Sequence, residues 1–221
     1  MPELFGQQYQ QDPASDYEAM RFMVLQLINQ VCTVTPVRVQ QSTSNGELAL
    51  AGRVVVRPMV MQTDGKQQAI EHGDIFDIPY IRVQGGANAV IIDPQPGDIG
   101  LALFAMRDIS AVKASGVESP PGSRRTYSWS DAIYIGGLLN DVPTQYVRFS
   151  DDGMELVSPT QVLIQAPTIL LAGAVSQSGG SVSVETTLTA GTEVTANGIA
   201  LTTHVHSGVQ TGGGTSGPPV P

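Results

Sequence analysis

The C-terminal third of this chain contains no basic residue and no aromatic. All 11 Lys and Arg fall at or before Arg148, and every Phe, Tyr and Trp at or before Phe149. From Asp151 to Pro221 the only charges are Asp151, Asp152, Glu155, Glu185 and Glu193. Basic residues are scarce elsewhere too: the net charge is -9, and only Arg124-Arg125 approaches a basic patch. Neutralising phosphates takes clustered Lys and Arg, so nucleic acid is not an expected partner. A single cysteine, Cys32, excludes an intrachain disulfide framework, and its thiol is expected to be a small buried or half-buried packing group. No run of about 18 apolar residues is present to span a bilayer. The start, MPELFGQQYQ, has neither the positive nor the apolar stretch of a secretory signal. The chain is therefore expected to be made and assembled in a cytoplasm.

What the sequence does contain changes character along its length. Residues 1–14 form a polar arm with little reason to order by itself. Ser15 and Glu18 fit the S-x-x-E capping box, in which each side chain satisfies a free amide of a helix's first turn. Behind them Met20, Met23, Val24, Leu27, Ile28 and Val31 recur at spacings of three and four, giving one apolar stripe. We expect this stripe to pack on the neighbouring domain rather than between subunits.

From Thr33 the period changes to two. Thr33–Gln40, Leu48–Met61, Ile78–Val83, Ala89–Ile92, Ile99–Met106 and Ala132–Ile135 read as strands, separated by turn signals such as Ser44-Asn45-Gly46 and Thr63-Asp64-Gly65. Many short strands with almost no helix suit a small closed barrel, because closure removes unpaired edges; an OB-type barrel is the natural candidate. Gly116–Arg125, with Pro120-Pro121-Gly122, reads as a long loop between the last two strands.

After Arg148 the pattern differs again. A segment so polar and Gly-rich would ordinarily fail to bury enough surface to offset chain entropy. It nevertheless carries apolar pairs separated by one residue: Met154/Leu156, Val162/Ile164, Ile169/Leu171, Val182/Val184, Leu188/Ala190, Val194/Ala196 and Ile199/Leu201. This is the rhythm of a β-helical or β-prism solenoid. Such small strands have no core in one chain. Three intertwined copies would turn each pair into a rung of a shared core, so a homotrimer is expected.

The candidate chemistry lies in Leu201-Thr202-Thr203-His204-Val205-His206-Ser207-Gly208. In an extended strand, residues two apart share a face, so His204 and His206 would project together. Two imidazoles from each of three chains offer six nitrogens, enough for an octahedral transition-metal ion. Imidazole suits iron, zinc, nickel or copper, and six-coordination disfavours zinc. As an isolated match H-x-H is a weak signal, met by any two surface histidines. Here, however, the chain has 3 histidines, two of them in this segment, and the surrounding region is otherwise stripped of titratable groups.

Together, the helix, the barrel containing Pro96-Gly97-Asp98-Ile99-Gly100-Leu101-Ala102, the repetitive shaft and the terminal His204-Val205-His206-Ser207-Gly208 followed by Val209–Pro219 resemble a known family. They are similar to the central baseplate spikes of contractile-tailed phages. The resemblance implies a mainly β fold: a flexible arm over 1–14, a helix over 15–31, an OB-type barrel over 32–147, an intertwined trimeric β-helix or β-prism shaft over 148–201 and a tip over 202–221. It implies that His204 and His206 from three chains hold one metal ion per trimer, iron in that family. The barrels would attach the needle to baseplate hub proteins, and the tip would touch the host outer membrane transiently during contraction. The location implied is the tip of the tail baseplate in the virion, after assembly in the bacterial host cytoplasm. Some relatives carry a lysozyme domain between barrel and shaft; Asn140–Ser150 leaves no room for one, so puncture without enzymatic activity is expected.

Three other functions share parts of this pattern. A His-metal hydrolase needs a third ligand and a nearby general base. The remaining histidine, His72, lies beside Glu71 and Asp74 in the barrel region and reads as a loop residue. An OB-fold nucleic-acid binder exposes aromatic platforms in a basic groove, whereas Tyr127, Trp129, Tyr134 and Tyr146 stand in an acidic chain and are expected in core or interface. A trimeric tail-fibre or carbohydrate-binding protein would share the shaft, but would normally present aromatic or polar binding surfaces near a distal end that here has no aromatic.

Overall fold

The structure is a computed structural model that describes residues 15–44, 48–205, 207–208 and 212–213. The arm expected over 1–14, His206 and most of Val209–Pro219 lie outside the described residues. The chain divides into two compact units, Met1–Val162 and Leu163–Pro221. The described part is mainly β.

The first unit opens with helix α1, Asp16–Ile28, whose Ser15 Oγ accepts from the Glu18 amide at 3.2 Å, as the capping pattern predicted. The apolar stripe behaves differently from expectation. No residue of α1 is buried, and Met20, Met23, Leu27 and Ile28 are each more than half exposed. Within the described residues the stripe does not find its cover on the neighbouring domain.

Five strands make one curled antiparallel sheet: β1 (Val34–Ser42), β2 (Arg53–Pro58), β5 (Ile75–Pro79), β8 (Ile99–Phe104) and β9 (Ala132–Gly136), in the order β5-β2-β1-β8-β9. Two short hairpins, β3 (Gln62–Thr63) with β4 (Ala69–Ile70) and β6 (Val83–Gly85) with β7 (Asn88–Val90), are set between them. The sheet curls because the β1–β2 register shifts between Val39 and Gln41 and the β2–β5 register between Val54 and Val56, and such irregularities bend a strand. Its two outer strands then meet: Tyr80 and Tyr134 form a parallel bridge, and the Ile81 amide donates to the Tyr134 carbonyl at 3.1 Å. The result is a half-barrel. Period-two alternation puts Val37, Val39, Val54, Val56, Ala102 and Phe104 inside, joined by Ile78, Tyr80, Ala132 and Tyr134. Cys32 is half-buried against this core, and burial pushes its thiol up.

Two expected strands come out differently. The run Leu48–Met61 is a strand only over Arg53–Pro58, since Leu48 and Leu50 are about nine-tenths exposed and have no core to face. The run Ile78–Val83 is interrupted, because Arg82 turns in to Asp93. Its Nε and Nη2 donate to the two carboxylate oxygens at 2.8 and 2.7 Å, and a third N–H donates to the Ala49 carbonyl. The loop expected over Gly116–Arg125 has no helix or strand, and a second helix, α2 (Ser110–Ser115), precedes it, ended by Gly116 in the left-handed conformation, φ 69°. Lys113 of α2 donates to the carbonyls of Asp77 and Ser130 at 2.9 and 3.1 Å, tying the helix to the sheet.

A hairpin of β10 (Tyr146–Ser150) and β11 (Gly153–Val157) follows, running across residue 148. Val147, Phe149, Met154 and Leu156 share one face, while Arg148 pairs with Glu155 at 2.7 Å on the other. From residue 158 to 194 the described chain has no strand. Its apolar residues stay exposed, Leu163, Leu170 and Val182 by 76, 87 and 73%. No helix among the described residues is long and apolar enough to cross a membrane.

Candidate functional site

The approach to the histidines is built by a tight hairpin. β12 (Thr195–Ala196) and β13 (Ile199–Ala200) pair antiparallel, and Asn197 and Gly198 between them have φ of 50° and 80°. Two successive left-handed residues make the type I′ turn, whose twist matches that of the flanking strands; Asn-Gly is its preferred sequence. The Leu201 amide donates to the Val194 carbonyl at 2.8 Å and extends the pairing. Glu193 then fastens the returning chain, accepting from the amides of Val194 and Thr202 at 2.9 and 3.2 Å and from the Thr202 hydroxyl. The Thr202 hydroxyl, foremost among these donors, holds the Glu193 carboxyl below the usual range.

The extended run expected from Leu201 is broken at its start. Leu201–Thr203 is a turn, and the His204 amide donates to the Ala200 carbonyl, four residues back, at 3.1 Å. His204 is exposed, and its Nδ1 lies 2.8 Å from the Leu201 carbonyl. A carbonyl only accepts, so Nδ1 carries a proton, and in the neutral ring the lone pair is then on Nε2. That is the tautomer in which a metal-binding imidazole is held by a backbone acceptor. Val205 is 92% exposed. The other expected ligand, His206, is outside the described residues. Among the described residues of one chain, no three His, Cys, Asp or Glu side chains gather in the manner of a metal site. His204 thus fits a metal as a donor, and among the described residues it does not gather with two other such side chains.

His72 stands in a different setting. Its ring packs on Trp129 at a centroid distance of 5.2 Å, and Trp129 in turn meets Phe104 edge-on at 5.0 Å. The neighbouring carboxylates turn to Arg57: Asp74 at 2.7 Å and Glu71 at 3.7 Å. His72 is a packing residue over the barrel. Tyr134 is buried in the core, while Tyr127 and Tyr146 are half-buried.

The Arg124-Arg125 pair is also reassigned by the structure. Arg125 donates from Nε and Nη2 to the two oxygens of Asp131 at 2.6 and 2.8 Å, and from Nη2 to Asp108 at 2.7 Å. Asp131 further accepts from the Ile109 amide and Asp108 from the Ser110 amide. Both carboxylates are buried, so Arg125 closes the α2 loop onto the barrel. Nothing in the spacing of Asp108, Arg125 and Asp131 announced this network. By contrast, the Asn197-Gly198 turn was open to detection as an Asn-Gly pair between two apolar residues.

Two family models match the chain. Residues 48–137, the greater part of the barrel, match the phage protein Gp138 N-terminal domain, and residues 198–220, from the glycine of the type I′ turn onward, match the GpV Apex motif. No curated protein matches the sequence.

Proposed function

We propose that this phage baseplate spike protein, whose two matches are to phage structural domains and not to enzymes, is the central spike of a contractile tail. It is a homotrimer that pierces the host outer membrane mechanically as the tail contracts. Its place is the tip of the baseplate in the virion, after assembly in the host cytoplasm.

The observation that carries the proposal is His204. It lies within the apex-matched residues, with Nδ1 held by the Leu201 carbonyl, so that the neutral ring has its lone pair on Nε2. His204 and His206 from three chains together hold one transition-metal ion, iron in the family the sequence resembles. When bound, the ion supplies coordination bonds that tie three chains together where small side chains give little hydrophobic cohesion. His204 is set for this by the Asn197-Gly198 turn and the Glu193 clasp, which fix where the chain returns.

The trimer draws its support from residues 158–194, which have no strand in one chain and leave their apolar pairs exposed. An OB-type barrel is supported by the strand order and by the parallel contact between β5 and β9. Arg, Met and aromatic side chains, the usual builders of interfaces, are concentrated before residue 150, which favours the barrel as the part that docks onto hub proteins.

Sedimentation combined with metal analysis tests the proposal. The purified chain should run as a trimer carrying one transition-metal ion per three chains. The double change His204→Ala and His206→Ala should remove the metal and leave the trimer. A folded monomer, or one metal per chain as a hydrolase would show, overturns it.

A further inference from the structure

The uncovered face of α1 has a seven-residue register. Tyr17 and Val24 fall at a positions and Met20 and Leu27 at d positions, and the four are 72, 47, 61 and 65% exposed. The flanking positions agree with the same register. Asp16 is at g and Arg21 at the e position five residues on, where a parallel neighbour's opposite charge would stand; Met23 at g and Ile28 at e form the apolar equivalent one heptad later. Within its own helix Arg21 meets Glu18 only loosely, at 3.8 Å. Phe22 and Leu25 lie on the outer side. Phe22 is already half-covered by its own chain, and Leu25, 41% exposed, is less exposed than any of the four seam residues.

We propose that α1 packs against the α1 helices of second and third copies of this chain as a short parallel coiled coil, with Tyr17, Met20, Val24 and Leu27 in the seam and Asp16 paired to a neighbour's Arg21. The proposal rests on the homotrimer put forward above, since copies related by a threefold axis present their helices in the same direction. Apolar side chains at e and g widen the buried stripe beyond two strands and suit three helices. A helix of 13 residues is marginal in isolation. Tethering through the rest of the trimer raises the effective concentration of the helices to the order of millimolar, which lets so short a seam form. The coil makes a second clamp on the trimer, at the end of the sequence opposite the histidines.

Cysteine cross-linking in the full chain tests this, in a Cys32→Ser background. Leu27→Cys, at d, should form an interchain disulfide under mild oxidation about tenfold faster than Gln26→Cys at c, because only the d positions are held together at high effective concentration. Adding Arg21→Glu should slow the Leu27→Cys reaction, and adding Asp16→Lys as well should restore it. Hydrogen exchange of the unaltered protein gives a readout free of substitutions: the α1 amides should be protected in the trimer. Sedimentation of each sample separates the outcomes. A trimer in which both cysteines react alike, or in which α1 is unprotected, overturns the coil and leaves the trimer standing. A monomer overturns both. Protection that arises only on adding a hub protein, with Leu27→Cys still reduced, assigns the face to that partner and overturns the coil.

Discussion

Replacing Gly100 by alanine tests whether Tyr134 and the β8–β9 ladder leave room for nothing larger than hydrogen at that position. An added Cβ would lie 2.3 Å from the Ile135 carbonyl oxygen and 2.6 Å from two atoms of the Tyr134 ring. Both distances are far inside van der Waals contact. The carbonyl belongs to the ladder in which Leu101 faces Ile135 and Gly100 faces Gly136, so it cannot retreat without loosening the pairing. The ring is 1% exposed and enclosed by the core. Overpacking costs about 1–3 kcal/mol, and a clash with backbone puts this case near about 3 kcal/mol. Gly85→Ala is the control: nothing lies within 4 Å of its Cβ, and the cost should stay within about 0.5 kcal/mol. Trp129 is the only tryptophan and packs against this core, so its fluorescence in urea reports the barrel. With a slope of about 1–2 kcal/mol per molar, the midpoint should fall by about 1.5–3 M for Gly100→Ala, compared at equal protein concentration. The double change Gly100→Ala with Tyr134→Leu should cost less than the sum of its parts, since the two sites are in contact. A Gly100→Ala midpoint as close to the unaltered protein as that of Gly85→Ala refutes the reasoning.

Three other outcomes follow from particular groups. The Tyr134 hydroxyl is buried without a hydrogen-bond partner among the described residues, and burial pushes its pKa up to about 12. Tyr134→Phe should therefore stabilise the barrel by about 1 kcal/mol, and a loss of that size would mean the hydroxyl is bonded in the assembly. Asp108 is held down to about 2 by Ser110 first and then Ser123 and Arg125, Asp93 to about 2 chiefly by Arg82, and Asp131 is lowered chiefly by Arg125. Folded values below the unfolded ones make these carboxylates stabilising above the ordinary carboxylate range. That contribution is lost as pH falls from about 4 towards about 2. Trp129 fluorescence should show the barrel weakening in that window, with a shallower fall for Asp131→Asn; an acid profile flat to pH 2 would sink the claim. Finally, Gly198→Val forces a β-branched residue to a φ of 80°, at a cost of about 1–2 kcal/mol. Faster hydrogen exchange at the Ile199 and Ala200 amides is expected, and unchanged exchange would show that the turn does not depend on glycine.

Local patterns carried much of this protein in the sequence itself. Ser15 and Glu18 located the start of α1, because a capping box is satisfied within one turn of chain. The alternation of Val37 with Val39, Val54 with Val56 and Ala102 with Phe104 marked both the strands and their inner faces, since a pleated strand has a fixed period of two. The pairing of His204 with His206, in a segment without other titratable side chains, singled out the end of the chain that the apex match also covers. What tertiary structure decided are pairings between groups distant in sequence. Arg125 was part of an unpaired basic doublet until the fold brought Asp108 and Asp131 around it. Arg82 ended a strand because Asp93 lay within reach. Leu201–Thr203 became a turn because the Ala200 carbonyl and Glu193 offered their hydrogen bonds there, against the extended run that period alone suggested. Amphipathicity showed that α1 has an apolar stripe, but periodicity holds no record of which surface lies opposite. Only the folded chain shows that its own described residues do not cover that stripe, because burial depends on the arrangement of distant segments and not on any local pattern.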